Sequence, residues 1–134
     1  MKQTIRDEQR VEHIWHCISR IQAVATTTSR EDLPNNESAQ ESLFFNLMVL
    51  GEAANHLSNE FHAAHPEIPW SKIIGMRNVL IHDYSDIDFD IAWRVVSHDI
   101  NELALQIKPI YDALPPVEPL PDIVDLLWKL QRKV

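Results

Sequence analysis

Leu43, Leu47, Leu50, Ala54, Leu57 and Phe61 follow one another at intervals of 4, 3, 4, 3 and 4. Only helical winding brings such a series onto one face, and the alternation marks a helix packed at a shallow angle on a neighbour. Val11, Ile14, Ile18, Ile21 and Ala25 repeat it at 3, 4, 3 and 4. Ala92, Val96, Ile100, Leu103 and Ile107 give a third stripe. A shorter run, SKIIGMRNVLIHDY, sets Ile73, Met76 and Leu80 inward and predicts a helix reaching Tyr84. No stretch reads as a strand, and only two glycines occur, too few for a fold built on tight turns. The expectation is an all-α chain: an antiparallel four-helix bundle over residues 1–113. Residues 114–134 then form a proline-rich tail with a short amphipathic helix.

Punctuation between the runs agrees. ATTTSREDLPNN ends the first helix and is broken by Pro34. Ser38 and Glu41 have capping-box spacing ahead of the second helix. Pro66 and Pro69 force a turn before the third, and SDID offers several caps for the fourth. Five of the eight prolines fall between Pro109 and Pro121, so the chain leaves the bundle stiff and extended. Asp122 caps a last segment with Ile123, Leu126, Leu127 and Leu130, too short to be stable without docking.

Twelve basic and twenty acidic side chains give a formal charge of −8. A chain of that sign does not hold nucleic acid through its general field, so any RNA chemistry needs a local cationic site. The lone Cys17 has no disulfide partner and reads as a small buried apolar residue, in keeping with a reducing cytoplasm. MKQTIRDEQR lacks the apolar run of a signal peptide, and LFFNLMVLGEAA is too short to span a bilayer.

The chemistry concentrates in GMRNVLIHDYSD, where Arg77, Asn78, His82, Asp83 and Tyr84 flank Val79, Leu80 and Ile81. On one ideal helix Asn78 and His82 share a face, whereas Arg77 lies about 140° from His82. A single uninterrupted helix therefore does not bring Arg77 and His82 onto one phosphate. Either the helix ends near His82, or two copies of the chain face each other across a two-fold axis. The residue types suit metal-free RNA cleavage. Histidine can take the 2′-OH proton or protonate the leaving 5′-oxygen, and arginine offers a permanent cationic fork to the non-bridging oxygens.

Arg77-Asn78-Val79-Leu80-Ile81-His82-Asp83-Tyr84 resembles the motif of the HEPN superfamily, an Arg with a following polar residue and a His four to six positions on. The Tyr two residues past the His resembles the HepT-type toxins within it. GEAANHLS, PEIPWSKIIGMRN and DIDFDIAW resemble HepT sequences in the same order, so the likeness covers about residues 5 to 110. The resemblance implies a four-helix HEPN bundle, a homodimer with the motif at its interface, and a metal-independent endoribonuclease without cofactor. It also implies a type VII-like toxin–antitoxin pair whose antitoxin, an MntA-like nucleotidyltransferase, transfers AMP to Tyr84. Arg77, His82 and Asn78 are then the catalytic set, with Asp83 and Glu52 as supporting residues. HepT sequences often carry Gly where this chain has Asp83, which either raises the pKa of His82 or repels phosphate.

Other features have plainer readings. Glu52, Asn55, His56 and Asn59 form a polar stripe that suits solvent, a dimer face or the cleft. His13 with His16, and His62 with His65, have helical metal-ligand spacing but lack third and fourth ligands, so no metal is expected. Trp15, Trp70, Trp93 and Trp128 read as packing anchors. A rival function is a non-catalytic helical dimer that binds and regulates a partner nucleotidyltransferase, its motif serving as docking surface and AMP acceptor.

Overall fold

The computed structural model describes residues 6–83 and 86–116, with the backbone alone at 77–83. Its elements are α1 (Asp7–Thr27), a 3₁₀ turn (Leu33–Asn35), α2 (Glu37–Asn55), α3 (Asn59–Ala64) and α4 (Trp70–Leu80). There follow β1 (Ile81–Asp83), β2 (Asp86–Ile87), α5 (Phe89–Arg94), a π-helical turn (Val95–Asp99) and α6 (Ile100–Asp112). The fold is all-α, as the sequence predicts. α1 packs on α2 and α6, and α2 packs on α4. The three predicted seams meet in the core: Val11, Ile14, Ile18 and Ile21, then Leu43, Leu47, Leu50 and Ala54, then Ala92, Val96, Ile100, Leu103 and Ile107 are all buried. Cys17 is buried among them.

The π turn explains why the third seam steps by 4 and 4 from Ala92 to Ile100. On a regular α-helix each step of four advances the stripe by about 40°, which would carry it off the core. The wider turn at Val95–Asp99 cancels that drift and lets the consecutive Val95 and Val96 both be buried. Ser97 Oγ donates to the Trp93 carbonyl at 2.6 Å and Asn101 Nδ2 to the Ser97 carbonyl at 2.9 Å, so side chains satisfy acceptors around the irregular turn.

Several boundaries differ from expectation. α2 is capped by Asn36, whose Oδ1 accepts from the Ala39 N–H at 3.0 Å, rather than by a Ser38–Glu41 box. Its seam does not continue unbroken to Phe61. The helix stops at Asn55, and Ser58 caps a new one by accepting from the Phe61 N–H at 3.1 Å. Asp7, at the start of α1, fixes that break: its carboxylate accepts from the Ser58 N–H at 2.9 Å and the Ser58 hydroxyl at 2.6 Å. Pro109 lies inside α6 rather than beyond it, three residues before the end, so the last turn runs on past one missing backbone donor. The predicted amphipathic segment of the tail and Trp128 lie outside the described residues.

Candidate active site

α4 stops at Leu80, and Ile81–Asp83 enters an antiparallel pairing, Ile81 opposite Ile87 and Asp83 opposite Asp86, with an irregularity between. This corrects both the expected helix through residue 84 and the expected absence of strands. β2 offers the backbone of 81–83 a cross-strand ladder in place of further helical bonds. The boundary falls inside the motif. Arg77 and Asn78 occupy the last turn of α4, and His82 sits at the centre of β1 with Asp83 after it. The 140° divergence of an ideal helix therefore does not apply to Arg77 and His82. Of the two solutions that the spacing allows, a helix end near His82 is the one seen. Tyr84 lies outside the described residues.

Three contacts fix how α2 lies beside this segment. His62 Nε2 donates to the Ala54 carbonyl at 2.8 Å, and its ring lies 4.9 Å from that of Trp70, so the end of α2 adjoins the start of α4. Trp70 Nε1 donates to the His65 carbonyl at 3.0 Å, closing the intervening turn. One turn back from Ala54, a Cβ on Gly51 would lie 3.3 Å from the Ile73 carbonyl oxygen and 3.8 Å from that of Ile74. The helices are thus antiparallel, and glycine permits the close approach of backbones. At a shared rise of about 1.5 Å per residue, Met48 and Phe45 pass level with the Arg77–Leu80 turn. Phe45 and Met48 are each 39% exposed, an apolar strip beside the motif that the seam pattern did not single out.

The remaining candidates separate. Glu52 is exposed on α2, and its described partner is His56, 3.8 Å away. By the same rise it sits about 6 Å short of Arg77 along α4 and makes no described contact with the motif. His62 and His65 are engaged in packing: His65 faces the Phe61 ring at 4.7 Å and Glu67 at 3.6 Å. His16 lies 3.6 Å from Glu12. His13 is half-buried, and burial foremost, then Arg20, His16 and Arg10, holds its pKa below the usual 6.5. Trp70 is buried and Trp15 stacks on Tyr111 at 5.2 Å, so both serve as packing anchors.

A family model described as ribonuclease HepT-like matches residues 14–110. The chain belongs to that family. It is accordingly an enzyme of the endoribonuclease class. It is similar to a "Probable ribonuclease HepT" of Thermococcus cleftensis, 33% identical over 103 residues that cover 77% of this chain and 92% of that one. It is also similar to the mRNA nuclease HepT of Shewanella oneidensis, 28% identical over 113 residues covering 66% of this chain and 84% of that one. No solved structure matches it. No described helix of this HepT-like chain is long and apolar enough to cross a membrane.

Proposed function

We propose that this HepT-like chain is the cytoplasmic toxin of a type VII-like toxin–antitoxin pair, a metal-independent endoribonuclease acting at a homodimer cleft. The observation that carries the reading is the end of α4 at Leu80, between Asn78 and His82. It frees His82 from the helical spacing that would separate it from Arg77. Arg77 binds the scissile phosphate and stabilises the charge on its non-bridging oxygens. His82 moves protons: the 2′-oxygen loses its proton as it attacks phosphorus, and the departing 5′-oxygen gains one, leaving a cyclic phosphate. Asn78 hydrogen-bonds substrate or fixes the His82 tautomer, and Asp83 supports the site. The exposed Phe45 and Met48 beside the motif turn are the apolar surface on which a second copy closes the cleft. A partner nucleotidyltransferase silences the site by placing AMP on Tyr84, where the adenylyl phosphate occupies Arg77 and fills the cleft.

Expression of the chain with and without His82→Ala tests the reading. Wild type arrests growth and cuts RNA in the presence of EDTA, and His82→Ala does neither. Equal growth, with RNA left intact by purified wild type, overturns the nuclease and leaves the non-catalytic partner of a nucleotidyltransferase. Mass spectrometry after co-expression with the nucleotidyltransferase reads the added AMP on Tyr84.

A further inference from the structure

Between α4 on one side and α5, the π turn and α6 on the other lies a groove of about 610 Å³. Ile73, Met76, Ile91, Val95, Ile100 and Leu103 give it an apolar floor. Its walls are charged unevenly. Lys72 and Arg94 face it from opposite sides, both exposed, and neither makes an ion pair within 4 Å among the described residues. Glu67, Asp99 and Glu102 also line it. Glu67 lies 3.6 Å from His65 and Glu102 3.4 Å from His98, contacts that become ion pairs only when the histidines are protonated.

Gly75 also lines the groove, and packing does not explain it. A Cβ there would meet no atom of the described residues within 4 Å, unlike one at Gly51. A glycine inside a helix is less favourable than alanine, and here no neighbouring group among the described residues requires it. Bare backbone on a groove floor is what a ligand's own backbone can approach closely. Residue 78 follows Gly75 by three positions, so along the helix backbone the two positions share a face of α4. Ile91 and Arg94, on the opposite wall, belong to the helix that follows β2. The π turn that shapes this wall is of a kind that occurs frequently at functional sites.

We infer that this groove binds single-stranded RNA next to the scissile position, Lys72 and Arg94 contacting phosphates while a base lies on the Met76–Ile91 floor. The inference rests on the ribonuclease reading for the motif, and Lys72 and Arg94 supply two local cations in a chain of charge −8, in a groove that Glu67, Asp99 and Glu102 also line. The acidic side chains confine the phosphates to the part of the groove where Lys72 and Arg94 stand.

The test is binding of an octamer of 2′-O-methyl oligouridine, which lacks the attacking hydroxyl and is not cut, read by fluorescence anisotropy at several salt concentrations. Lys72→Gln with Arg94→Gln weakens binding about 10-fold and lowers the salt slope by about 1.4, the value for two single-strand phosphate contacts. Arg20→Gln with Lys108→Gln changes net charge equally on other exposed surfaces and leaves the slope unchanged. Gly75→Leu fills the groove without altering charge and weakens binding, whereas Gly75→Ala, with open space for its methyl, keeps a folded chain as a control. Unaltered affinity and slope in the Lys72/Arg94 and Gly75→Leu variants of a protein whose wild type cuts RNA overturn the groove and leave the nuclease standing. If those variants instead lose only the nucleotidyltransferase, the groove docks protein and the RNA proposal falls. Groove-dependent RNA binding by a wild type that does not cut upholds the groove and removes the nuclease.

Discussion

Helices α2 and α4 end in opposite ways. The end of α2 and the turn after it are held by side chains, one of them from far along the chain: Asp7 on Ser58, His62 on the Ala54 carbonyl, Trp70 on the His65 carbonyl. The end of α4 passes into a two-stranded ladder of 3 and 2 residues, and it carries the motif. One terminus spends its polar groups on fixing the fold. The other arrives at Leu80 with Arg77, Asn78 and His82 grouped about the change of conformation. On the proposed function, stability and chemistry lie on separate helix ends, and the two helices come close where Gly51 meets the Ile73 carbonyl.

If that division is right, Arg77→Ala lowers the RNA cleavage rate by about 10²- to 10³-fold, the usual loss of a charge-stabilising donor, with little change in thermal midpoint. A fall of cleavage and melting temperature together would make Arg77 part of the scaffold and erase the contrast. Gly51→Val strikes the joint between the two ends. A Cβ 3.3 Å from a carbonyl that belongs to a helix ladder has little room, and a branched side chain needs more. The substitution costs about 1 to 3 kcal/mol, and because it moves α4 it also slows cleavage at temperatures where the protein is fully folded. Gly51→Ala is milder, since the gain in helix propensity offsets the tight contact. Unfolding curves beside cleavage rates for the two variants read this coupling, and a Val variant that loses stability alone separates α4 from the site.

The same contrast accounts for how much of the molecule is legible in the sequence. Seams are legible because helical spacing is a local property, and the residues they name form the core. Helix ends are not, because their causes are remote. Asp7 is 51 residues from the Ser58 it holds, and Ile81 leaves the helix to pair with Ile87, a choice that the helical spacing of the run does not register. One irregularity does leave a local trace: two successive steps of four from Ala92 to Ile100 accompany the wider turn. In the site, residue types reveal the motif, while the exposure of Phe45 and Met48 depends on which face of α2 the bundle covers.

At the anchored end, Asp7→Ala removes two hydrogen bonds, one of them to an N-cap hydroxyl. It costs about 1 to 2 kcal/mol, enough to lower the melting temperature by several degrees. Cleavage by the folded variant stays at the wild-type rate, measured well below the transition. A large loss of activity would show that the α2 end reaches the motif by a route other than Gly51.

The smallest effect separates the two ends by pH. His13 lies on α1, the helix that supplies Asp7, and its pKa is held below 6.5 in the folded chain, chiefly by burial. The unfolded chain then binds the proton more readily, so stability is complete above about pH 6.5 and declines as pH falls toward the lowered folded value. Melting temperatures between about pH 7 and pH 5 therefore fall more steeply for wild type than for His13→Gln, which has no proton to take up there. Carboxylates contribute equally to both proteins and cancel in the comparison. His13 has no part in the proposed site, so its substitution flattens the stability profile and leaves the pH profile of cleavage by the folded protein in place. A shift of the activity profile with His13→Gln would join the two ends electrostatically.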